Sequence, residues 1–196
     1  MNTSAKKNIW IVTIDDPFYY HPLYKNIICS CPIDGLIVIP GPFGQKKKTV
    51  IKELVYSFQF YGFSGSLFLL KRLFISLFQK SLKNVARDKG VNHIFEIPKS
   101  AIRPTLRANN VDIVLSSVTH LINKEELDSS KFGWVNLHCG LLPDYRGLNA
   151  PFWTLYNREK FIGFTIHLMN ESFDDGPILI QNKFPNLNLP YFTTVN

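Results

Sequence analysis

The sequence VNLHCGLLPDYRG at residues 135–147 begins as a short apolar strand and ends in a loop. Successive side chains of a strand point to opposite faces, so residues two positions apart share a face. Asn136 and His138 have this spacing, and we predict that their side chains point the same way. Pro143 and Gly147 indicate that the chain turns after the strand. We expect this strand and loop to organise both the fold and the site.

A second polar segment, ESFDDGPIL at residues 171–179, places Asp174 in a turn before another apolar run. A carboxamide, an imidazole and a carboxylate brought together would suit acyl transfer. One group can polarise a carbonyl, another can move protons, and the third can orient the proton carrier. Each residue also has a structural interpretation: Asn136 as a partner of loop backbone groups, His138 as a hydrogen-bonded core histidine and Asp174 as a turn former. Their joint occurrence favours catalysis.

Apolar runs of strand length alternate along the chain with helical patterns. Strands are predicted at 9–14, 35–39, 91–97, 111–116, 134–138, 161–168 and 178–184, and helical patterns at 23–28, 50–86, 101–109, 123–128 and 150–157. Such alternation indicates an α/β fold with a doubly wound, mostly parallel sheet and helices on both faces. The first strand is followed by DDPF at residues 15–18 instead of a GxGxxG fingerprint, which disfavours a dinucleotide site. We expect the ligand where the later strands end.

The composition is that of a globular chain, with 45% apolar and 19% charged residues among 196. This length fits a single domain. The formal charge of +7 fits an anionic partner without identifying it. Three unevenly spaced cysteines predict a reducing cytoplasm, and the N-terminus has no signal-peptide pattern. The apolar run 66–79 is too short for an integral membrane segment and is interrupted by Lys71 and Arg72.

Three segments in order, NLHCGLLPDYRG, GFTIHLM and SFDDGPIL, resemble the formyltransferase family that uses 10-formyltetrahydrofolate. The resemblance covers residues 111–181. It implies that Asn136 and His138 stabilise the oxyanion formed when a primary amine attacks the formyl carbon. Asp174 would orient His138, favour its protonated form and help to pass the amine proton to the departing folate nitrogen. The resemblance implies no metal.

The resemblance also implies where the folate would bind. The family holds the pterin ring largely by backbone groups of the loop after the strand at 111–116, and a later turn closes the other wall. These positions correspond here to His120, Leu121, Ile122, Asn170 and Phe173. Of the remaining polar residues, we expect Arg146 to brace its loop rather than contact an anionic acceptor, and His167 to be a packed or edge histidine.

The acceptor is inferred by exclusion among related enzymes. Methionyl-tRNA formyltransferases carry a further C-terminal domain, and glycinamide ribonucleotide enzymes begin with a Gly-rich phosphate loop. Neither feature is found in residues 1–196, so a nucleotide-linked amino sugar is the expected acceptor. A methionyl-tRNA formyltransferase-like enzyme and a non-catalytic folate-binding protein stay as alternatives. A third is hydrolysis of 10-formyltetrahydrofolate with water as the acceptor.

The chain is interpreted as one formyltransferase catalytic domain truncated at its C-terminus. It ends soon after the last predicted strand, where related proteins continue into a helix. Residues 1–196 are then either a natural short form or a fragment. The sequence is compatible with a homodimer but does not fix the oligomeric state.

Overall fold

The computed structural model describes residues 6–14, 20–40, 78–117 and 122–187, with scattered positions between 58 and 75. Its contacts fall into two compact units. One unit is Trp10–Ala101, and the other comprises Met1–Ile9 and Ile102–Asn196. The single catalytic domain spanning residues 1–196 stays a prediction.

The unit of Trp10–Ala101 holds three parallel strands in the order β3-β2-β1. Its elements are β1 (Ile9–Ile14), α1 (Tyr20–Ser30), β2 (Gly35–Ile39), α2 (Leu82–Asp88) and β3 (His93–Glu96), followed by a 3-10 turn at Lys99–Ala101. Side chains on both faces of β1 are buried, as its unbroken apolar sequence predicts. Gly35 lies against the ring of Trp10, and a Cβ atom there would overlap the ring. Glycine at this position therefore permits the close packing of β1 and β2.

The second unit holds the strand order β4-β5-β6-β7, in which β4 and β5 are parallel and the later neighbours are antiparallel. Its elements are α3 (Ile102–Ala108), β4 (Ile113–Ser116), α4 (Lys124–Leu127), β5 (Trp134–His138), α5 (Ala150–Tyr156), β6 (Phe161–Leu168) and β7 (Ile178–Pro185). Asn123 caps α4 through a reciprocal capping box with Glu126. Strand β5 pairs with β4 on one side and with β6 on the other, and these two neighbours fix its orientation.

The predicted α/β class, with a mostly parallel sheet and intervening helices, is confirmed. All seven predicted strands are found, with ends that differ by two residues at most. Of the helical pattern at 50–86, α2 lies within the described residues, whereas most of the remainder lies outside them. Within the described part of the chain, no helix combines the length and apolarity needed to cross a bilayer.

Candidate active site

The carboxyl-terminal half of β5 carries the two side chains that the sequence singled out. Asn136 lies opposite His167 of β6, and His138 lies opposite Thr165. On the other side of β5, Asn136 is level with Ser116, the last residue of β4. The His138 side chain is buried, whereas Asn136 is partly accessible. The register therefore places polar side chains of β5 and β6 directly across from each other.

Asp174 reaches this pair of strands from the turn that precedes β7. Its Oδ2 atom is 3.4 Å from Nδ1 of His138, and its Oδ1 atom accepts a hydrogen bond of 3.0 Å from the Asn136 amide nitrogen. The backbone of Asp174 has a φ of 46°, in the left-handed region that aspartate tolerates better than most residues. The structure thus brings together the carboxamide, the imidazole and the carboxylate.

The imidazole of His138 is held from both of its nitrogens. Its Nε2 atom is 2.5 Å from the backbone carbonyl oxygen of Tyr145, and a carbonyl can only accept, so Nε2 carries a hydrogen. The Nδ1 atom faces Asp174 at 3.4 Å, longer than an ordinary hydrogen bond. Catalytic hydrogen bonds are often long before a substrate binds. Nδ1, with the looser contact of the two, is therefore the nitrogen of His138 that can bond to a substrate.

The Asn136 amide nitrogen has two acceptors in front of it. It lies 3.0 Å from Asp174 Oδ1 and 3.1 Å from His167 Nε2, and those two atoms are 3.3 Å apart. The three distances form a nearly equilateral triangle, so the acceptors subtend a much smaller angle than the two hydrogens of an amide do. Both acceptors can share a single N–H, which leaves the second N–H for a ligand oxygen.

The charge of Asp174 is stabilised by its neighbours. Burial alone would raise the pKa of this carboxyl, but the charge of His138 and the backbone N–H of Gly147 act against burial, and the pKa is lowered. The Gly147 N–H donates to Oδ2 at 2.8 Å. Hydrogen bonds to the charged form have this effect generally. Asp174 is therefore a carboxylate at neutral pH and can orient or stabilise a protonated partner.

The loop between β5 and α5 holds both members of the His138–Asp174 pair through backbone groups. The carbonyl oxygen of Tyr145 contacts His138, and the N–H of Gly147 contacts Asp174. The Tyr145 hydroxyl in turn donates to Glu159 at 2.6 Å, and this bond raises the pKa of the phenol. Backbone groups of the DYRG segment therefore hold the His138–Asp174 pair, and the Tyr145 side chain fixes the position of the segment.

A buried hydroxyl fixes the first part of the same loop. Thr165 Oγ1 donates to the carbonyl oxygen of Gly140 at 2.7 Å and accepts from the N–H of Leu142 at 3.2 Å. Gln181 Nε2 on β7 donates to the Leu142 carbonyl oxygen at 2.8 Å and to Thr165 Oγ1 at 3.0 Å. Strands β6 and β7 therefore hold the segment that directly follows His138.

Arg146 acts at the surface of the loop. Its guanidinium is 2.6 Å from Asp175, the neighbour of Asp174, and both side chains are about half exposed. The ion pair connects the loop before α5 to the turn before β7. This contact matches the bracing role predicted for Arg146.

The expected folate-binding positions are only partly covered by the structure. His120 and Leu121 lie outside the described residues. Ile122 is 3% exposed, and the Asn170 side chain accepts the Ser172 N–H at 3.0 Å. Phe173, next to Asp174, is 51% exposed and offers an apolar surface. These positions stay predictions.

A formyl-bearing, partly aromatic folate is compatible with the donor set of this site. One amide N–H of Asn136 is available to a ligand when its two protein acceptors share the other, and Phe173 offers an exposed ring next to Asp174. Asn136 would hold the formyl oxygen, and Phe173 would contact the ring system. Among the described residues, no group of three His, Cys, Asp or Glu side chains could hold a metal ion.

The sequence interpretation underestimated His167. This histidine is packed, as predicted, but it also contacts both Asn136 and Asp174. The alternation in GFTIHLM indicated which residues share a face of β6. It could not indicate the register that places His167 opposite Asn136.

A mostly parallel α/β fold with a clustered amide, imidazole and carboxylate suits acyl-group transfer. The sequence model of the formyl transferase family matches residues 80–188, which is more than half of the chain. The chain therefore belongs to the formyl transferase family.

Curated relatives of two kinds match the chain. GDP-perosamine N-formyltransferase from Brucella melitensis is 48% identical over 63 residues, which are 32% of this chain and 24% of that protein. Methionyl-tRNA formyltransferase from Clostridium tetani is 39% identical over 72 residues, 37% of this chain and 23% of that protein. The matched stretches thus span about a quarter of these relatives.

Solved structures match over more of the chain. Phosphoribosylglycinamide formyltransferase from Anaplasma phagocytophilum superposes with a TM-score of 0.63 at 17% identity, covering 97% of this chain and 78% of that one. At this level of identity the likeness concerns the fold.

Proposed function

We propose that this chain transfers a formyl group from 10-formyltetrahydrofolate to a primary amine. The observation that carries the proposal is the cluster of Asn136, His138 and Asp174, whose polar atoms lie 3.0–3.4 Å apart at the end of β5. These residue types suit formyl transfer, and they lie at the carboxyl end of β5, where open α/β sheets bind their ligands.

In this reaction 10-formyltetrahydrofolate supplies the formyl group, and the protein supplies position and charge. The second N–H of Asn136 donates to the formyl oxygen as negative charge develops there. His138 donates from Nδ1 to the same oxygen, while its Nε2–H stays on the Tyr145 carbonyl oxygen. Asp174 stabilises the positive charge on His138 and accepts the proton that the attacking amine loses, for delivery to the folate nitrogen.

We infer that the amine belongs to a nucleotide-linked amino sugar. The similarity to GDP-perosamine N-formyltransferase supports this acceptor, and the formal charge of +7 fits its phosphates. The similarity to methionyl-tRNA formyltransferase supports tRNA as a second candidate, which the same charge would fit. A cytoplasmic location is part of the proposal, in line with three free cysteines.

The proposal is tested by incubating the purified chain with 10-formyltetrahydrofolate and a panel of amines. The panel includes amino-sugar nucleotides and methionyl-tRNA, and both tetrahydrofolate release and the formylated product are measured. We expect release that requires an amine and that His138→Ala abolishes. His21→Gln is the control, since His21 is a buried histidine bonded to the Lys80 carbonyl oxygen and lies in the Trp10–Ala101 unit.

Two results would overturn the proposal. Tight binding of reduced folate without transfer to any amine would favour the non-catalytic folate-binding alternative. Equal release of tetrahydrofolate by the wild type and His138→Ala would remove His138 from the mechanism. Product formed on methionyl-tRNA and on no amino sugar would keep formyl transfer but change the acceptor.

A further inference from the structure

His167 is the second imidazole that contacts Asp174. It is 2% exposed, and its Nε2 atom lies 3.3 Å from Oδ1, while His138 lies 3.4 Å from Oδ2. The carboxylate therefore lies between two histidine rings. The proposed reaction assigns a role to His138 and none to His167.

The hydrogen bonding of His167 defines its tautomer. Its Nδ1 atom is 2.8 Å from the backbone carbonyl oxygen of Leu168, which can only accept. Nδ1 therefore carries a hydrogen, and a neutral ring presents the lone pair of Nε2 to the site. Gly176 packs against the same carbonyl, because a Cβ atom at Gly176 would lie only 1.8 Å from the Leu168 oxygen.

The distances around Nε2 distinguish its two partners. The Asn136 amide nitrogen lies at 3.1 Å, whereas Asp174 Oδ1 lies at 3.3 Å. An amide nitrogen can only donate, so its hydrogen bond to Nε2 requires the lone pair of that atom. Nε2 is therefore placed as an acceptor of the Asn136 N–H and not as a donor to Asp174.

An acceptor at this point determines the orientation of the carboxamide. If the Asn136 side chain were rotated by half a turn, its oxygen would face two acceptors, Nε2 of His167 and Oδ1 of Asp174. With the nitrogen inward, both acceptors can share one N–H, which leaves the second N–H for a ligand. The register of β5 and β6 places His167 and Asn136 opposite each other, so the contact is part of the fold.

We propose that His167 is a positioning residue, which in its neutral Nδ1–H form accepts an N–H of Asn136 and thereby directs the other N–H at the formyl oxygen. The consequence for formyl transfer rests on the proposed function. The hydrogen-bonding arrangement itself does not, and it can be measured without turnover.

Imidazole 15N NMR of the full chain tests the arrangement. In the wild type at neutral pH we expect His167 to be protonated at Nδ1 and bare at Nε2. Asn136→Ala should change the Nε2 shift, because the N–H that it accepts is removed. A His167 ring protonated at Nε2, or at both nitrogens, would overturn the proposal, and so would an Nε2 shift that is unchanged in Asn136→Ala.

Kinetics tests the consequence. We expect His167→Phe to lower kcat about tenfold or more while KM for 10-formyltetrahydrofolate stays within about twofold, since the loss is one of alignment. His167→Gln returns a hydrogen-bonding acceptor and should recover most of kcat. Thermal unfolding of each variant and the control His21→Gln separate this effect from a general loss of a buried histidine.

The two possible failures are distinguishable. A wild type that transfers formyl to no amine would refute the proposed function, while the NMR result would still decide the arrangement of His167. A wild type that is active, with kcat unchanged in folded His167→Phe, would refute the positioning role alone.

Discussion

Strand β1 and the strand pair β5-β6 use burial in different ways. Trp10, Ile11 and Val12 of β1 are fully buried apolar side chains that stabilise the fold by the area they remove from water. Thr165 and His167 of β6 are equally buried but polar, and each is bonded to a loop or to a side chain of the site. Buried polar groups are costly unless paired. On β6, buried positions are therefore occupied by polar side chains that build the site, instead of by apolar side chains that stabilise the core.

The largest expected effect follows from removing the charge of the site and keeping its shape. Asp174→Asn should lower kcat about a thousandfold or more, because His138 loses the carboxylate that orients and stabilises it. Single-turnover formyl transfer is the measurement. A loss of less than tenfold in a folded variant would show that Asp174 contributes mainly to the turn.

A substitution in the apolar strand β1 is expected to change stability and to leave the chemistry intact. Trp10→Ala should lower the free energy of unfolding by about 3–5 kcal/mol, because it removes a fully buried ring and leaves a cavity beside Gly35. Urea unfolding measures the change, and Trp10→Phe is the milder control. We expect the kcat of the remaining folded protein to be that of the wild type. A lower kcat per folded molecule would contradict the division between stability and chemistry.

Thr165 tests the polar region for stability. Thr165→Val keeps the shape but leaves the Gly140 carbonyl oxygen and the Leu142 N–H without the hydroxyl. We expect a loss of about 1–3 kcal/mol in the free energy of unfolding, together with lower kcat because the loop after His138 loosens. Thr154→Val is a matched control, since its buried hydroxyl donates only to the Ala150 carbonyl oxygen within α5. Equal effects of the two changes on kcat would argue against a loop-specific role.

The depressed pKa of Asp174 predicts how stability depends on pH. An unfolded aspartate has a pKa of about 3.9, and the folded pKa of Asp174 is lower. The stabilisation is therefore complete above about pH 4 and is lost as the pH falls through the folded pKa. Urea midpoints measured from pH 7 to pH 2.5 should fall less steeply at the acid end in Asp174→Asn than in the wild type. Parallel curves would show that other groups dominate.

The smallest effect is expected at the rim of the site. Arg146→Gln removes a half-exposed ion pair with Asp175, which should cost about 0–1 kcal/mol of stability. Because the pair spans two loops, KM for the amine is the sensitive measurement, with Lys83→Gln as a control that breaks an ion pair to Glu96 elsewhere. A KM change of more than tenfold would instead indicate that Arg146 contacts the acceptor.

Local patterns predicted the elements well because their causes are local. The strand at residues 134–138 and the helix capped by Asn123 need only the alternation of apolar residues and a side chain that reaches the next turn. The contacts of His167 and Thr165 could not be predicted in this way. They depend on which residue of β6 lies opposite which residue of β5, and a shift of one position would turn both side chains to the other face.

Residue types and their spacing are enough to predict an α/β fold, a place among the formyl transferases, and Asn136, His138 and Asp174 as the candidate catalytic residues. Three contacts are visible only in the folded chain: Asp174 lies between two imidazoles, Tyr145 and Gly147 hold the His138–Asp174 pair, and Asn136 faces His167. The reason is physical, because residue types and short-range periodicity are local properties of the sequence. Contacts between residues tens of positions apart exist only after strand register and loop geometry have formed.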